Sequence, residues 1–377
     1  MSSPTVISLD AMGGDHGPSV VVAGVRDYIK RHGGTGVRFL LHGDQVAISA
    51  EMARHRLASD ICDIRHTDKV VAMDEKPAQA MRRGKGSSLW NAVEAVKSGD
   101  AGAVVSAGNT GALMAISKLI LRMSAPGLER PAIVASWPTS RGVTAVLDVG
   151  ANIESDAEQL IEFAIMGEAF HAAVHGAGAA RRPTIGILNV GSEDMKGHEE
   201  VREAHAILKR GQLDLNYHGF VEGDDIAKGT VDVVVTDGFT GNIALKTAEG
   251  TARFISTLLR EALTSGIQAK LGALIAMPAL RAMSQKIDPS AINGGPLLGL
   301  NGIVVKSHGG ADAKGFGNAI RIAVDLARSD YMTKVGANLG KLDDVLHAAH
   351  QAPGSEATET PDAIATDRAA TSGETLQ

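Results

Sequence analysis

Six times in this chain an apolar stretch of strand length runs into glycine flanked by Asn, Asp, Ser or Thr, and a helical pattern begins at once. The strings are DAMGGD (10–15), SAGNTGA (106–112), LDVGANIES (147–155), LNVGSED (188–194), VTDGFTGN (235–242) and VKSHGGAD (305–312). Strand followed by helix, repeated, demands an α/β fold: a mostly parallel, doubly wound sheet covered on both faces. Strands are expected near 6–10, 37–42, 61–66, 102–108, 143–150, 184–191, 231–238 and 302–310. They lack alternation, as suits strands buried on both sides. Helices are expected near 19–32, 87–98, 109–122, 155–175, 198–210, 241–264 and 315–328. No linker interrupts the series, so one large unit is expected over 1–350, followed by a disordered acidic tail over 351–377 with five acids against Arg368.

Each is a βα turn, so all six are expected along the carboxyl edge of one parallel sheet, where α/β folds bind ligands. Glycine lets backbone approach a ligand, and small polar residues cap the next helix or face the site. Helix N-termini aimed at one crevice favour an anion. One such turn has a sufficient local explanation in helix capping, whereas six together point to a shared site. Lys196, Lys246, Lys306 and His308 follow these turns within a few residues, and Lys246 lies one helical turn past Asn242.

Other chemistries find little support. Gly13, Gly14 and Gly17 do not have the G-x-G-x-x-G spacing, and the chain contains no G-x-x-x-x-G-K-[ST], G-x-S-x-G or H-E-x-x-H. The single Cys62 rules out an intrachain disulfide and zinc-binding Cys pairs, so neither cofactor nor metal is expected. A net charge of -6 with 3% aromatic residues argues against nucleic acid. The chain has no apolar run long enough to span a bilayer and no secretion signal at its start, so a cytoplasmic location is expected.

The strings LDAMGGDHGP, SAGNTGA, DVGAN, LNVGSEDMKGHE, VEGDD, VTDGFTGNIALKTAEG and PLLGLNG resemble, in order and spacing, the bacterial phosphate acyltransferases, from about Val6 to about Leu346. That family converts acyl-acyl-carrier-protein and inorganic phosphate to acyl phosphate for phospholipid synthesis. The resemblance implies a fold like isopropylmalate dehydrogenase and phosphotransacetylase, a homodimer, and transfer of product to a membrane glycerol-phosphate acyltransferase. A phosphotransacetylase using acyl-coenzyme A is the near alternative. A nicotinamide-dependent dehydrogenase and a noncatalytic anion-binding scaffold are the distant ones.

The chemistry suits these residues. Phosphate dianion is abundant at neutral pH and a thiol with pKa about 8.5 leaves without strong acid help, so a desolvated, positively biased pocket is the main requirement. Lys196, Asp237, Asn242, Lys246, Lys306 and His308 are the candidate catalytic residues, the lysines carrying phosphate and oxyanion charge. Gly13, Gly14, Asp15, Ser106, Gly108, Asn109, Thr110, Asp148, Asn152 and Asn189 are candidates for binding phosphate or substrate. Asp15 either orients a lysine or caps the helix near Pro18, and Asp148 and Asp237 would tune lysines or accept a proton.

Arg82, Arg83 and Lys85 either dock the acidic carrier protein or form a solvated loop before a helix capped by Ser87 or Ser88. The segment 266–288, interrupted by Pro278, is expected to be an apolar helical hairpin. Leu271, Leu274, Ile275 and Met277 would meet a bilayer surface, making the protein peripheral, or be buried between two copies.

Overall fold

The computed structural model describes residues 3–176, 181–286, 290 and 293–351, so the acidic tail beyond Gln351 lies outside the described residues. The strands are β1 (Thr5–Asp10), β2 (Val37–Gly43), β3 (Cys62–His66), β4 (Ala103–Ser106), β5 (Ala132–Thr139), β6 (Gly142–Leu147), β7 (Thr184–Leu188), β8 (Asn216–Val221), β9 (Val233–Val235), β10 (Gly295–Leu298) and β11 (Ile303–Lys306). The helices are α1 (Pro18–His32), α2 (Gln45–His55), α3 (Pro77–Arg83), α4 (Ser88–Lys97), α5 (Thr110–Leu121), α6 (Ala157–Val174), α7 (Glu199–Lys209), α8 (Gly223–Lys228), α9 (Gly238–Thr264), α10 (Ile267–Lys286), α11 (Ala313–Arg328) and α12 (Tyr331–Gln351).

All strands join one sheet in the order β3-β2-β1-β4-β11-β10-β5-β6-β9-β7-β8. The sheet is mostly parallel, as expected, but β10 is antiparallel to both β11 and β5, and β5 is antiparallel to β6. These reversals turn β6, β9, β7 and β8 opposite to β1, β2, β3, β4 and β11. The six glycine turns therefore do not share one carboxyl edge. Those after β1, β4 and β11 form one group, and those after β6, β7 and β9 form another at the other end of the strands. The unexpected elements that cause this are short or lack a clean pattern: β10 is only GPLL, and β5 contains Pro138.

One continuous core nevertheless runs beneath both halves. Ile7, Leu9, Val105 and Val305 from the first set of strands share it with Leu147, Ile187 and Val235 from the second. Phe163 and Phe170 of α6 and Phe316 of α11 fill it, and each is essentially inaccessible. The opposite face of the first half is covered by α3, α4 and α5 over Val104, Val304 and Leu297.

The segment expected to be a hairpin is instead the single helix α10, and Pro278 lies inside it. Its hairpin partner is α9, from which it turns by 119°. Only Gly238 and Gly241 of α9 are buried, so the pair stands away from the body with Phe254, Leu258, Leu271, Leu274 and Ile275 exposed and Met277 partly covered. Among the described residues, no single helix is long and apolar enough to cross a membrane.

Candidate active site

At the carboxyl ends of five neighbouring parallel strands the residue pairing places one polar row: Arg65 of β3, His42 of β2, Asp10 of β1, Ser106 of β4 and Lys306 of β11. The row immediately before it is apolar throughout: Ile64, Leu41, Leu9, Val105 and Val305. Side chains alternate across a sheet, so the polar row faces the α4 and α5 side, as Ser8 does when its hydroxyl donates to the Ala92 carbonyl of α4 at 2.8 Å. Polar groups are costly to bury unless paired; Asp10 and Ser106 are paired, whereas neither ring nitrogen of the buried His42 has a hydrogen-bond partner among the described residues.

Asp10, 2% exposed, accepts from the Ser106 hydroxyl at 2.7 Å, and the Met12 and Gly13 amides are also turned to its carboxylate. Burial pushes this carboxyl up, against those hydrogen bonds. The Ser106 oxygen accepts from the Gly108 amide at 3.0 Å, and the Ser106 carbonyl accepts from the Ser307 amide at 2.9 Å. Asn293 donates to the Ser307 hydroxyl at 2.8 Å and accepts from the His308 amide at 3.0 Å, while Asn318 of α11 donates to the Asn293 carbonyl at 2.8 Å. Three strand ends are thus joined by one chain of hydrogen bonds.

Lys306 is half-buried above this floor, and its ammonium donates to the carbonyls of Ala107 and Ser307. Burial pulls its pKa down to about 8, opposed by the charges of Asp10 and Asp15. His308 is exposed, and its Nδ1 accepts from the Gly310 amide at 3.2 Å, which leaves Nε2 as the nitrogen not used by the turn. The backbones of the turns touch: the Asp15 amide donates to the Gly309 carbonyl at 3.0 Å. Gly14, at φ +88°, has that carbonyl and Ala107 only 2.9 Å from where a Cβ would stand. Asp15 does not cap α1, because the N-cap is Gly17 with no side-chain bond, so Asp15 remains at the rim as a charge facing Lys306. Gly13 keeps its small size for a structural reason: a Cβ would meet the Gly108 amide at 2.7 Å, and its own N–H is turned to Asp10 rather than to solvent.

Asn109 caps α5 by accepting from the Ala112 amide at 2.9 Å, and it also donates to the carbonyls of Met73 at 2.6 Å and Glu75 at 3.0 Å. One side chain therefore fixes a helix start and straps the 67–76 segment across the group, with Thr110 exposed at the helix start. Met73 reaches the β11 turn, its methyl 3.0 Å from where a Gly309 Cβ would be. The strap leads into α3, whose end carries Arg82 and Arg83, followed by Lys85. All three are exposed, and the following helix is capped by Ser87, which accepts from Trp90 at 3.2 Å.

The turns after β6, β9 and β7 are built differently. Asp148 is fully buried and accepts from the amides of Ile133, Gly150, Ala151 and Asn152 and from the Asn152 side chain, at 2.6 to 3.2 Å. It is spent on the backbone, not on a lysine. Asn152 is 1% exposed and also donates to the Pro131 carbonyl at 3.0 Å. Asp237 caps α9 through the Thr240 amide at 2.8 Å. Asn189 holds its own turn, donating to the Lys196 carbonyl at 3.1 Å. Lys246 is exposed and paired with Glu249 at 3.0 Å, while Asn242 and Lys196 are exposed. Among the described residues, none of these side chains bonds to the Lys306 group, so the structure divides the expected site in two. Asp10, Ser307, Asn293 and Asn318 were not expected. For Asp10 the signal was available in the sequence: it is the polar residue that ends an apolar strand just before the glycines.

The family model described as "Fatty acid synthesis protein" matches residues 5–334. The phosphate acyltransferase of Caulobacter vibrioides is 66% identical over 361 residues, 95% of this chain and 99% of that relative. That of Phenylobacterium zucineum is 58% identical over 353 residues, 94% and 99% of the two chains. Among solved structures, a phosphotransacetylase from Streptococcus pyogenes superposes with a TM-score of 0.58 at 19% identity, covering 86% of this chain and 94% of its own. The EutD phosphotransacetylase from Staphylococcus aureus gives 0.56 at 16% identity with the same coverage. At these identities the structures establish the phosphotransacetylase-like fold alone.

Proposed function

The chain belongs to the family of bacterial phosphate acyltransferases, and on that premise we propose that the Lys306 crevice is where acyl transfer to phosphate occurs. The enzyme moves a fatty acyl group onto inorganic phosphate for lipid synthesis. The observation that carries the site assignment is the convergence, on adjacent strand ends, of the starts of α1, α5 and α11 with one half-buried ammonium. Helix N-termini and a desolvated cation favour a dianion, and the touching glycine turns let it approach backbone.

Phosphate oxygen attacks the thioester carbon, the C–S bond breaks as the tetrahedral intermediate collapses, and the proton of hydrogen phosphate is available to the departing thiolate. Lys306 offsets the oxyanion charge, Gly14 and Thr110 present backbone, and Asp15 orients the lysine, while the Gly108 amide is held by Ser106. His308 offers Nε2 at the rim. In this reading Lys196, Asn242 and Lys246 serve the other half of the molecule.

For the donor, we favour acyl-acyl-carrier-protein. An acidic carrier fits the exposed Arg82, Arg83 and Lys85, which the Asn109 strap links to the crevice. Release of thiol from acyl-carrier protein and from acyl-coenzyme A, each with and without phosphate, decides between donors. A phosphate-dependent rate confined to coenzyme A would refute the carrier assignment, and Lys306→Ala with unchanged phosphate affinity and turnover would refute the site.

The exposed apolar faces of α9 and α10 support a homodimer, with Leu271, Leu274 and Ile275 resting at a bilayer surface near the membrane acyltransferase that takes the product. Leu274→Glu that remains dimeric yet no longer floats with anionic vesicles is the expected result. Equal flotation of both forms would remove the membrane contact.

A further inference from the structure

We propose that Asp10 is a positioning residue for the transfer step: its buried carboxylate, two places along the polar row from Lys306, holds that lysine in the charged form the reaction uses. This rests on the assignment of phosphate and oxyanion charge to Lys306.

The register sets the geometry. Asp10 pairs with Ser106 and Ser106 pairs with Lys306, so the three side chains leave the same face of three adjacent strands. Ser106 donates to Asp10 at 2.7 Å and so points the intervening hydroxyl away from Lys306 and toward the carboxylate. Little water separates the pair, because Asp10 and Ser106 are 2% and 0% exposed, and an opposite charge in such a setting is weakly screened. The groups facing Lys306 are few. Asp10 and Asp15 come from the β1 end, the Ala107 carbonyl from the β4 end, and the Ser307 carbonyl from its own strand. Asp10 is the larger of the two charge contributions that hold the lysine pKa up against burial. His42, next along the row, does not titrate in the working range: burial, helped by Arg65, pulls it down to about 4.

The sign follows from these contacts. Lys306 is protonated below about 8, so turnover is expected to fall as pH rises through that value. Removing the Asp10 charge lowers the lysine pKa further and moves this limb to lower pH.

The experiment measures turnover and the phosphate KM of the full chain from pH 6 to 9.5, with acyl-carrier protein as donor. Asp10→Asn is expected to move the alkaline limb down by about one unit, costing about fivefold in rate at pH 8 and almost nothing at pH 6. Asp15→Asn, at the solvent-screened rim, should move it less, and Lys306→Arg should abolish it. A role in structure alone would lower the rate equally at every pH, and that result, or an unmoved limb in Asp10→Asn, overturns the proposal. Should Asp10→Asn fail to fold, Ser106→Ala decides. It weakens the carboxylate by removing a hydrogen bond, so a smaller downward shift supports the proposal and an unmoved limb ends it. An active Lys306→Ala with wild-type phosphate affinity would refute the site itself, whereas an inactive Lys306→Ala beside an unmoved Asp10→Asn limb refutes only the role of Asp10.

Discussion

The turns after β1, β4 and β11 and those after β6, β9 and β7 have nearly the same sequence grammar, yet the structure uses them for different ends. In the first group a cation is half-buried, a carboxylate charge faces it from the rim, and helix starts lie beside it. In the second, the Asp148 carboxylate is consumed by backbone amides, Asp237 by a helix cap, and the turns instead expose Ile153, Val190, Met195 and Phe239 at 60% or more. A glycine beside Asp or Asn marks a strand end that approaches something closely. In one group that partner is another turn and, we propose, phosphate; in the other it is a helix. Gly241 shows the second case: a Cβ there would lie 1.9 Å from the Asp148 carbonyl, so glycine admits α9 onto the β6 turn.

Lys306→Ala probes the first group most severely. Loss of a preorganised cation from a transition-state site typically costs about 10²–10³-fold in turnover. Stability should be unchanged or slightly raised, since a partly desolvated ammonium is removed. Steady-state kinetics beside thermal unfolding checks both halves of the expectation, and a variant that loses stability in step with activity would show Lys306 to be structural.

Asp148→Ala is the mirror experiment in the second group. Four amides and an asparagine lose a buried acceptor, which should destabilise the fold on the order of 3 kcal/mol. Activity per folded molecule should change far less than in Lys306→Ala. A chain that stays stable but loses turnover would place Asp148 in the chemistry.

How far the sequence foretold this division depends on element length. The apolar strands, the glycine turns and their helices are written in runs long enough to read, and a polar residue stands at or next to the last place of β1, β2, β3, β4 and β11. The strand reversals are not, because they turn on β10, four residues long, and on β5, where Pro138 obscures the pattern. Periodicity gives a strand's existence but not its direction, so the six turns looked equivalent. Asn293 could not be read at all: it acts through contacts 14 and 15 residues away, with Ser307 and His308.

The rim of the first group offers a smaller effect. Reversing Arg82, Arg83 and Lys85 together to glutamate should raise the Michaelis constant for carrier protein by about tenfold at low salt, with little change for phosphate, because rim charges act mainly on encounter and are screened. The effect should fade as ionic strength rises. An equal rise for both substrates would mean that the strap through Asn109 had shifted, carrying the crevice with it.

Lys246→Ala should do least, and for that reason it tests the comparison most sharply. The side chain is 55% exposed and its partner Glu249 lies one turn along the same helix, a pairing worth only a few tenths of a kcal/mol. Its strand neighbourhood runs opposite to that of Lys306, so phosphate affinity and turnover are both expected to stay within about twofold of the parent, a difference of roughly 0.4 kcal/mol. If instead turnover falls tenfold while unfolding is unchanged, the two sets of turns work on one substrate. The similarity in their sequences would then reflect a single site assembled from both ends of the sheet.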